Sequence, residues 1–254
     1  MPSDQEYLRS HARTLRTVRR VMRTLPSHPR CKLCFAPFSG VGGRIVRVAG
    51  FAPSRKNPNY CSTCFERGPD SGEELSIGVL FADIRGYTAL SETRPPDEVR
   101  ALLGRFYDAT TSVLIAADAL IDKLVGDQVL ALFLPYLIPE NEIVPRMVET
   151  AESLLRAVGY GAEGGVWCPV GVGLDAGTAY VGNVGAGEVK DFTAIGDVVN
   201  TGSRLQGAAR SGEIVMSRRV YDAVRDRFPD AARSLLELKG KRDAEEAYVV
   251  AVGS

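Results

Sequence analysis

The chain has 254 residues, of which 45% are hydrophobic and 24% charged, with 31 basic and 31 acidic side chains. This composition is typical of a globular protein with one sizeable core and a small accessory module. No apolar run reaches the ~20 residues of a membrane span, which argues against a membrane protein. The arginine-rich start lacks the apolar core of a signal peptide, so we expect a cytoplasmic protein whose five cysteines are thiols or metal ligands rather than disulfides.

Charge is distributed unevenly along the chain. Residues 1–67 contain 13 Lys or Arg but 3 Asp or Glu, so a basic front end precedes an acidic remainder. A nucleic-acid site needs a clustered basic patch with aromatic side chains for stacking, and few aromatics are interleaved here. We therefore favour a solvated basic face that docks on the acidic body. A zinc-dependent nucleic-acid-binding regulator is the alternative.

The first predicted element is an amphipathic helix in a segment assigned to residues 1–28. Its apolar side chains recur with the alternating spacing of three and four that is typical of a coiled-coil seam. They are Leu8, Leu15, Val18, Met22 and Leu25, and His11 occupies the weak position of the seam between the first two. Pro26 ends the helix because proline cannot continue it. Two interpretations are open: the helix packs on its own protein, or it dimerises or contacts a partner.

Residues 29–68 form a predicted four-cysteine module. Cys31 with Cys34 and Cys61 with Cys64 are two Cys-x-x-Cys pairs. This spacing lets both pairs reach one tetrahedral ion, which predicts a closed four-sulfur site. The segment is too short and glycine-rich to fold on core burial alone, and metal binding would supply the missing folding free energy. Structural Zn²⁺ is the main interpretation, with an iron–sulfur cluster or a dithiol switch as alternatives.

The remaining domain is assigned to residues 69–254 and begins with a predicted linker, rich in Gly, Pro and Asp, over residues 66–74. Strand-like runs then alternate with helical patterns, which predicts an α+β sheet domain with helices packed on it. The predicted strands cover residues 75–83, 119–125, 128–134, 169–175, 178–183, 213–217, 234–238 and 246–252. The predicted helices cover residues 96–117, 140–158, 197–209 and 217–227.

Two aspartates lie where the predicted strands end. Asp83 follows the apolar run of the first strand, and Asp127 stands in a Gly-Asp hairpin turn between two apolar runs. If the first strand lies beside this hairpin, both carboxylates emerge at the same region of the sheet. Paired carboxylates are hard oxygen ligands, suited to Mg²⁺ or Mn²⁺.

A third candidate feature is a polar pair on one helix. Asn200 and Arg204 are four residues apart in a helical run, and therefore lie on the same face. An amide beside an arginine fork is suited to orienting a ribose and neutralising a phosphate. An N-cap or a surface ion pair is the alternative.

Three blocks, FADIRGYT, DKLVGD and DFTAIGDVVNTGSRL, resemble the signature blocks of the class III nucleotidyl cyclase catalytic domain in sequence, order and spacing. The resemblance extends over residues 72–252. It implies a ferredoxin-like βαββαβ core with extra strands, preceded here by the N-terminal helix and the four-cysteine module. It also implies a nucleotidyl cyclase that acts in signal transduction.

The resemblance implies a role for each matching residue. Asp83 and Asp127 would bind two Mg²⁺ or Mn²⁺ ions per active site. Asn200 and Arg204 would stabilise the transition state. Gly86 would let the backbone turn closely around the triphosphate.

Lys123 and Thr193 match the positions that read the purine in this family. Guanine-selective members usually carry an acidic residue at the lysine position and a cysteine-like residue at the other, so the pair implies ATP. Thr193 departs from the aspartate of one adenine-reading subgroup and matches another, which includes bicarbonate-responsive members. Lys239, or Lys241, resembles the triphosphate-binding lysine of the family on looser spacing.

Family sites form at a dimer interface, with the aspartates from one chain and the base-reading and transition-state residues from the other. This chain carries all six of these residues, so the resemblance implies a symmetric homodimer with two complete sites. The six are Asp83, Asp127, Lys123, Thr193, Asn200 and Arg204. The expected function is an adenylate cyclase that converts ATP to 3′,5′-cyclic AMP and pyrophosphate, regulated through the four-cysteine module and the helix. The alternatives are a guanylate cyclase and a weakly active, cyclase-like nucleotide-binding regulatory protein.

Overall fold

The computed structural model describes residues 17–65, 72–186, 189–236 and 244–253. These residues form two compact units. The smaller unit lies within Met1–Ser71 and Gly182–Phe192, and the larger within Gly72–Val181 and Thr193–Ser254. None of the helices in the described ranges combines the length and the apolar character that a membrane crossing requires.

The larger unit is built on a mixed β-sheet flanked by helices. The strands among the described residues are β1 (Glu73–Ile84), β2 (Leu120–Val125), β3 (Gln128–Phe133), β4 (Val170–Ala186), β5 (Val189–Ile195), β6 (Glu213–Ser217), β7 (Ala232–Leu236) and β8 (Glu245–Ala251). The described helices are α1 (residues 17–24), α2 (Gly40–Val48), α3 (Ser62–Phe65), α4 (Tyr87–Thr93), α5 (Pro96–Ala116), α6 (Ile143–Ala157), α7 (Asp197–Ala208) and α8 (Arg218–Val224). A 3₁₀ turn, Glu140–Glu142, precedes α6.

Four strands at one end of the sheet belong to the predicted ferredoxin-like unit. Its elements follow the chain order β1, α5, β2, β3, α6, β4. The strands lie side by side as β2-β3-β1-β4, with β1 antiparallel to both of its neighbours. Beyond β4, which is parallel to β6, the antiparallel strands β8 and β7 extend the sheet, and β5 pairs with β4. The predicted α+β class and core topology are confirmed.

Side chains of β1 alternate between two helix layers, as successive strand residues must. A Cβ placed on Gly78 would lie 2.9 Å from the sulfur of Met147 in α6. A Cβ on Gly202 of α7 would lie 2.8 Å from a methyl carbon of Val79, the next residue of β1. The two layers therefore lie on opposite faces of the sheet. Asp83 is four residues from Val79 in the same strand and so lies on the same face of the sheet. Its side chain therefore points toward the layer of α7.

Three elements of this unit differ from the prediction. The predicted strands 169–175 and 178–183 are one continuous strand, β4, because Ala176 and Gly177 stay paired with β1. The short helix α4 was not predicted, since it buries no residue and shows no apolar periodicity. The strand β5 was also missed, because it carries Lys and Asp and forms by pairing with β4. The predicted linker also ends too late, since β1 begins at residue 73.

The smaller unit contains the four cysteines, α1, α2 and α3. In α1, Met22 is buried and the guanidinium of Arg23 lies 4.6 Å from the ring centre of Phe35. Residues 17–24 therefore pack on their own protein, whereas residues 1–16 of the predicted helix lie outside the described residues. The helix α2 was not predicted. It exposes three apolar side chains, which are Val41, Ile45 and Val48.

Candidate active site and cysteine cluster

Sheet register brings Asp83 and Asp127 to the same end of the sheet. Asp83, near the end of β1, lies opposite Gln128, the first residue of β3. Asp127 directly precedes Gln128 in the two-residue turn that joins β2 to β3. Gly126 begins this turn with φ +61°, a conformation that favours glycine. The predicted hairpin of β2 and β3 is present. The antiparallel pairing of β1 and β3 then brings the two carboxylates to the same end of the sheet.

The electrostatics of this pair favour a bound cation. Burial raises the pKa of Asp83, and the negative charge of Asp127 raises it further. Burial also raises the pKa of Asp127. Two partly buried carboxylates whose ionised forms are disfavoured are a donor set that fits Mg²⁺ or Mn²⁺, because a divalent cation would stabilise both charges.

Two further residues contact or face the Asp83 carboxylate, and sequence reasoning did not select either of them. Nη2 of Arg85 lies 2.6 Å from Oδ1 of Asp83, and the positive charge lowers the carboxyl pKa. Gln206 of α7 also lowers this pKa, although its Nε2 has no acceptor within hydrogen-bond geometry in the described part of the chain. Arg85 directly follows the end of β1 and is two residues from Asp83, so its place in the sequence could have indicated it. Gln206 offers no comparable signal.

Gly86 begins α4 from the left-handed region, with φ +76°. No atom lies within 4 Å of the position that a Cβ would take. The backbone conformation, rather than crowding, is therefore what requires glycine here. Gly86 is exposed and follows Asp83 by three residues, and its contact with a triphosphate stays a prediction.

Lys123 and Thr193 are hydrogen-bonded to each other although they are far apart in sequence. Nζ of Lys123 donates to Oγ1 of Thr193 at 2.9 Å. Asp122, which sequence reasoning did not select, joins them: its Oδ2 accepts from Oγ1 of Thr193 at 2.8 Å and from Nζ of Lys123 at 3.3 Å. Thr193 is buried, whereas the Lys123 side chain is 44% exposed. The result is a polar cluster with one solvent-facing cation.

Asn200 and Arg204 lie on α7 but away from the face that packs on the sheet, which is formed by Val198, Thr201 and Leu205. Within the described residues, the side chains of Asn200 and Arg204 make no hydrogen bond or ion pair with each other or with the two aspartates. The roles of Asn200 and Arg204 in one site with the aspartates stay a prediction. Lys239 and Lys241 lie in the segment 237–243, outside the described residues.

The sequence model of the adenylate and guanylate cyclase catalytic domain matches residues 71–252. The chain belongs to this family. The matched segment contains the two aspartates, the Lys123–Thr193 pair and α7, and it corresponds to the larger unit together with the β4–β5 extension.

Known proteins similar to this cyclase domain include both adenylate and guanylyl cyclases. Adenylate cyclase 1 of Rhizobium meliloti is 31% identical over 180 residues, 68% of this chain. An uncharacterized protein of Mycobacterium tuberculosis (strain H37Rv) is 33% identical over 165 residues, 62% of this chain. The matches span 27% and 29% of the lengths of these two relatives. The similarity is therefore to one domain of each relative, not to the whole protein.

Solved cyclase structures have the same fold. The guanylyl cyclase Cya2 superposes with a TM-score of 0.63 at 26% identity, covering 72% of this chain and 96% of that protein. The adenylyl cyclase CyaB from P. aeruginosa superposes with a TM-score of 0.60 at 27% identity, covering 70% and 95%. The similarity confirms the cyclase fold and leaves the choice of nucleotide to the residues of the site.

The cysteine cluster lies outside the segment matched to the cyclase family. The four sulfur atoms of Cys31, Cys34, Cys61 and Cys64 lie within 4.8 Å of one another. The sulfur of Cys31 lies 3.9 Å from that of Cys64, and the sulfur of Cys34 lies 3.5 Å from that of Cys61. A tetrahedral ZnS₄ site with Zn–S bonds of about 2.3 Å has sulfur–sulfur distances of roughly 3.8 Å. The predicted spacing therefore does assemble a candidate four-sulfur metal site.

The surroundings of the cluster favour ionised sulfur at Cys31. Hydrogen bonds from the neighbouring thiols, that of Cys34 foremost, lower the pKa of Cys31. The same closeness raises the pKa of Cys64, chiefly through its hydrogen bond with Cys31. The backbone N–H of Cys61 also donates to the sulfur of Cys31 at 3.3 Å. Four thiolates this close require a cation, which is the donor set of a closed metal site.

Proposed function

We propose that the protein is an adenylate cyclase that converts ATP to 3′,5′-cyclic AMP and pyrophosphate. Membership in the cyclase family supports the reaction class. The Lys123–Thr193 pair supports adenine as the base, because an ammonium can donate to N1 of adenine and a hydroxyl can interact with its 6-amino group. This pair is the observation on which the choice of ATP rests.

The reaction joins the 3′-oxygen of the ribose to the α-phosphorus, breaks the bond from that phosphorus to the bridging oxygen, and releases pyrophosphate. The proton of the 3′-hydroxyl is lost to solvent. Asp83 and Asp127 would hold two Mg²⁺ or Mn²⁺ ions. When bound, these ions would supply positive charge that favours ionisation of the 3′-hydroxyl and offsets the charge of the triphosphate. Arg204 would offset the negative charge that grows on the α-phosphoryl oxygens. Asn200 would hold the ribose so that attack is in line.

We infer that the active site forms between two copies of this chain. Asn200 and Arg204 have no polar contact with the aspartates within the described residues of one chain, so a second copy is the natural source of the missing contacts. Exposed apolar side chains flank the base-reading pair, as expected at a surface covered by a partner. They are Leu124, Val125 and Ile195, which are 44%, 62% and 52% exposed.

The test of the proposed function is turnover of ATP and GTP with Mn²⁺ and with Mg²⁺, measured by separation of the cyclic products. We expect cyclic AMP as the main product, with kcat/KM for ATP about 10- to 100-fold above that for GTP, the range that two hydrogen bonds can provide. Faster cyclisation of GTP would make the protein a guanylate cyclase. Nucleotide binding without any cyclic product would instead indicate a cyclase-like regulatory protein.

We also propose that the four cysteines hold structural Zn²⁺ and that this module regulates the cyclase through β5. Lys56 of the module lies 2.9 Å from the carboxylate of Asp191, and the Lys56 side chain is largely buried. Asp191 precedes Thr193 by two residues in the same strand. A change in the module can therefore reach the base-reading residue along the backbone of β5.

The zinc proposal predicts one metal ion per chain by elemental analysis, and loss of most of it in Cys34→Ser or Cys61→Ser. The two substitutions should also lower cyclase activity if the module acts through β5.

Cys168→Ser is the matched control for the metal content. Burial raises the pKa of Cys168 to about 12, so its thiol stays protonated and its removal must leave the metal content unchanged. If the metal is iron and the protein absorbs visible light, the four cysteines hold an iron–sulfur cluster rather than Zn²⁺. Metal-free protein with titratable thiols would favour the dithiol switch.

A further inference from the structure

The hydrogen bonds around Thr193 have only one possible direction. Oγ1 of Thr193 lies between two charged groups, 2.9 Å from the ammonium of Lys123 and 2.8 Å from the carboxylate of Asp122. An ammonium only donates hydrogen bonds, a carboxylate only accepts them, and a hydroxyl has a single proton. Thr193 therefore accepts from Lys123 and gives its proton to Asp122. Toward a ligand, its oxygen has only acceptor capacity left.

Adenine and guanine present opposite groups to such an oxygen. Adenine carries a 6-amino group, which donates, whereas guanine carries O6, which accepts. At the neighbouring ring position, adenine N1 accepts and guanine N1–H donates, so the ammonium of Lys123 also matches adenine alone. A hydroxyl that was free to rotate could accept a hydrogen bond from the adenine 6-amino group or donate one to guanine O6. A hydroxyl whose proton is held by a carboxylate can only accept, and so it matches adenine.

We propose that Asp122 is a specificity-determining residue of the cyclase, which selects ATP over GTP by holding Thr193 as a hydrogen-bond acceptor. The proposal rests on the proposed function, in which Lys123 and Thr193 read the base. Asp122 itself is a positioning residue, because its side chain is fully buried and acts on the nucleotide through Thr193.

A β-bulge explains how Asp122 and Lys123 both reach Thr193. Adjacent residues of a regular strand point to opposite faces of the sheet. In β2, Ile121 pairs with Ala131 and Lys123 pairs with Leu130, so Asp122 is an extra residue without a place in the register. Such a bulge re-aims the side chains around it. Both neighbours can thus bond one hydroxyl, which a regular strand does not permit.

The test is Asp122→Ala in the 254-residue chain, with kcat/KM measured for ATP and for GTP. Loss of the carboxylate frees the Thr193 hydroxyl to donate to guanine O6, so we expect the ATP-to-GTP ratio to fall about tenfold, the discrimination carried by one hydrogen bond. Asp122→Leu, which keeps the number and branching of the side-chain heavy atoms but accepts no hydrogen bond, must give the same fall. It also serves if the alanine variant does not fold.

A double-mutant comparison shows whether Asp122 acts through Thr193. In a Thr193→Val background the hydroxyl is absent, so Asp122→Ala should change the ratio less than about twofold. An equal fall in ATP and GTP turnover, with an unchanged ratio, would reduce Asp122 to a structural role and overturn the proposal. A fall of the ratio that is equally large with and without the Thr193 hydroxyl would also overturn it.

Failure of the proposed function is distinguishable from failure of this inference. If the wild-type protein forms no cyclic product, the adenylate cyclase assignment is wrong. Equilibrium binding of ATP and GTP to the wild type and to Asp122→Ala then decides the role of Asp122 alone. A preference for ATP that weakens about tenfold supports the inference, and an unchanged preference contradicts it.

Discussion

Asp83→Ala and Asp127→Ala should each lower cyclic AMP formation by about a thousand-fold or more. Each substitution removes a carboxylate from the proposed two-ion site, and a bound ion contributes several kcal/mol of transition-state stabilisation. The measurement is kcat with saturating ATP and Mn²⁺. Asp226→Ala is the matched control, because the Asp226 side chain is fully exposed and its removal should leave turnover unchanged.

The same variants should stay folded, which separates a lost ion site from lost structure. Burial raises the pKa of both carboxyls, so ionisation disfavours the folded state as the pH rises past the unfolded value. Removal of either carboxyl should therefore not lower the melting temperature at pH 7 without metal. Added Mn²⁺ should raise the melting temperature of the wild type but not of the variants. Full activity in either variant would contradict the proposal that both carboxylates hold the catalytic ions.

Mixed chains should regain activity that neither parent has. If the aspartates come from one chain and the transition-state pair from the other, a dimer of Asp83→Ala with Arg204→Ala contains one intact site. Random pairing makes half of the dimers mixed, so we expect about a quarter of wild-type activity from an equal mixture. The measurement is cyclic AMP formation after the two inactive chains are mixed and allowed to exchange.

The control for this experiment is a mixture of Asp83→Ala with Asp127→Ala. Both aspartates of a site come from the same chain in the proposed dimer, so every site in this mixture lacks one of them and no activity should return. Rescue in the control mixture, or none in the first, would contradict an active site shared in this way. A size measurement of the wild type at the assay concentration checks that the chain dimerises.

Local patterns were sufficient for much of the cyclase domain. The buried run that ends at Asp83 predicts β1, and the Gly126–Asp127 turn predicts the hairpin of β2 and β3, because each signal is contained within a few consecutive residues. The Cys-x-x-Cys pairs predict the sulfur cluster for the same reason. Elements without such a signal were missed. The helix α4 buries nothing, and β5 depends on its pairing with β4.

The sequence by itself determined which residues can do chemistry: two carboxylates at strand ends, an amide and an arginine on one helix face, and four paired cysteines. Only the tertiary structure decided how they are surrounded. Gln206 meets Asp83 because α7 packs closely on β1 at Gly202. Asp122 and Thr193 are 71 residues apart in sequence. Their hydrogen bond forms because a β-bulge in β2 redirects the Asp122 side chain. Register, bulges and helix packing are set by distant parts of the chain, so no local pattern contains them.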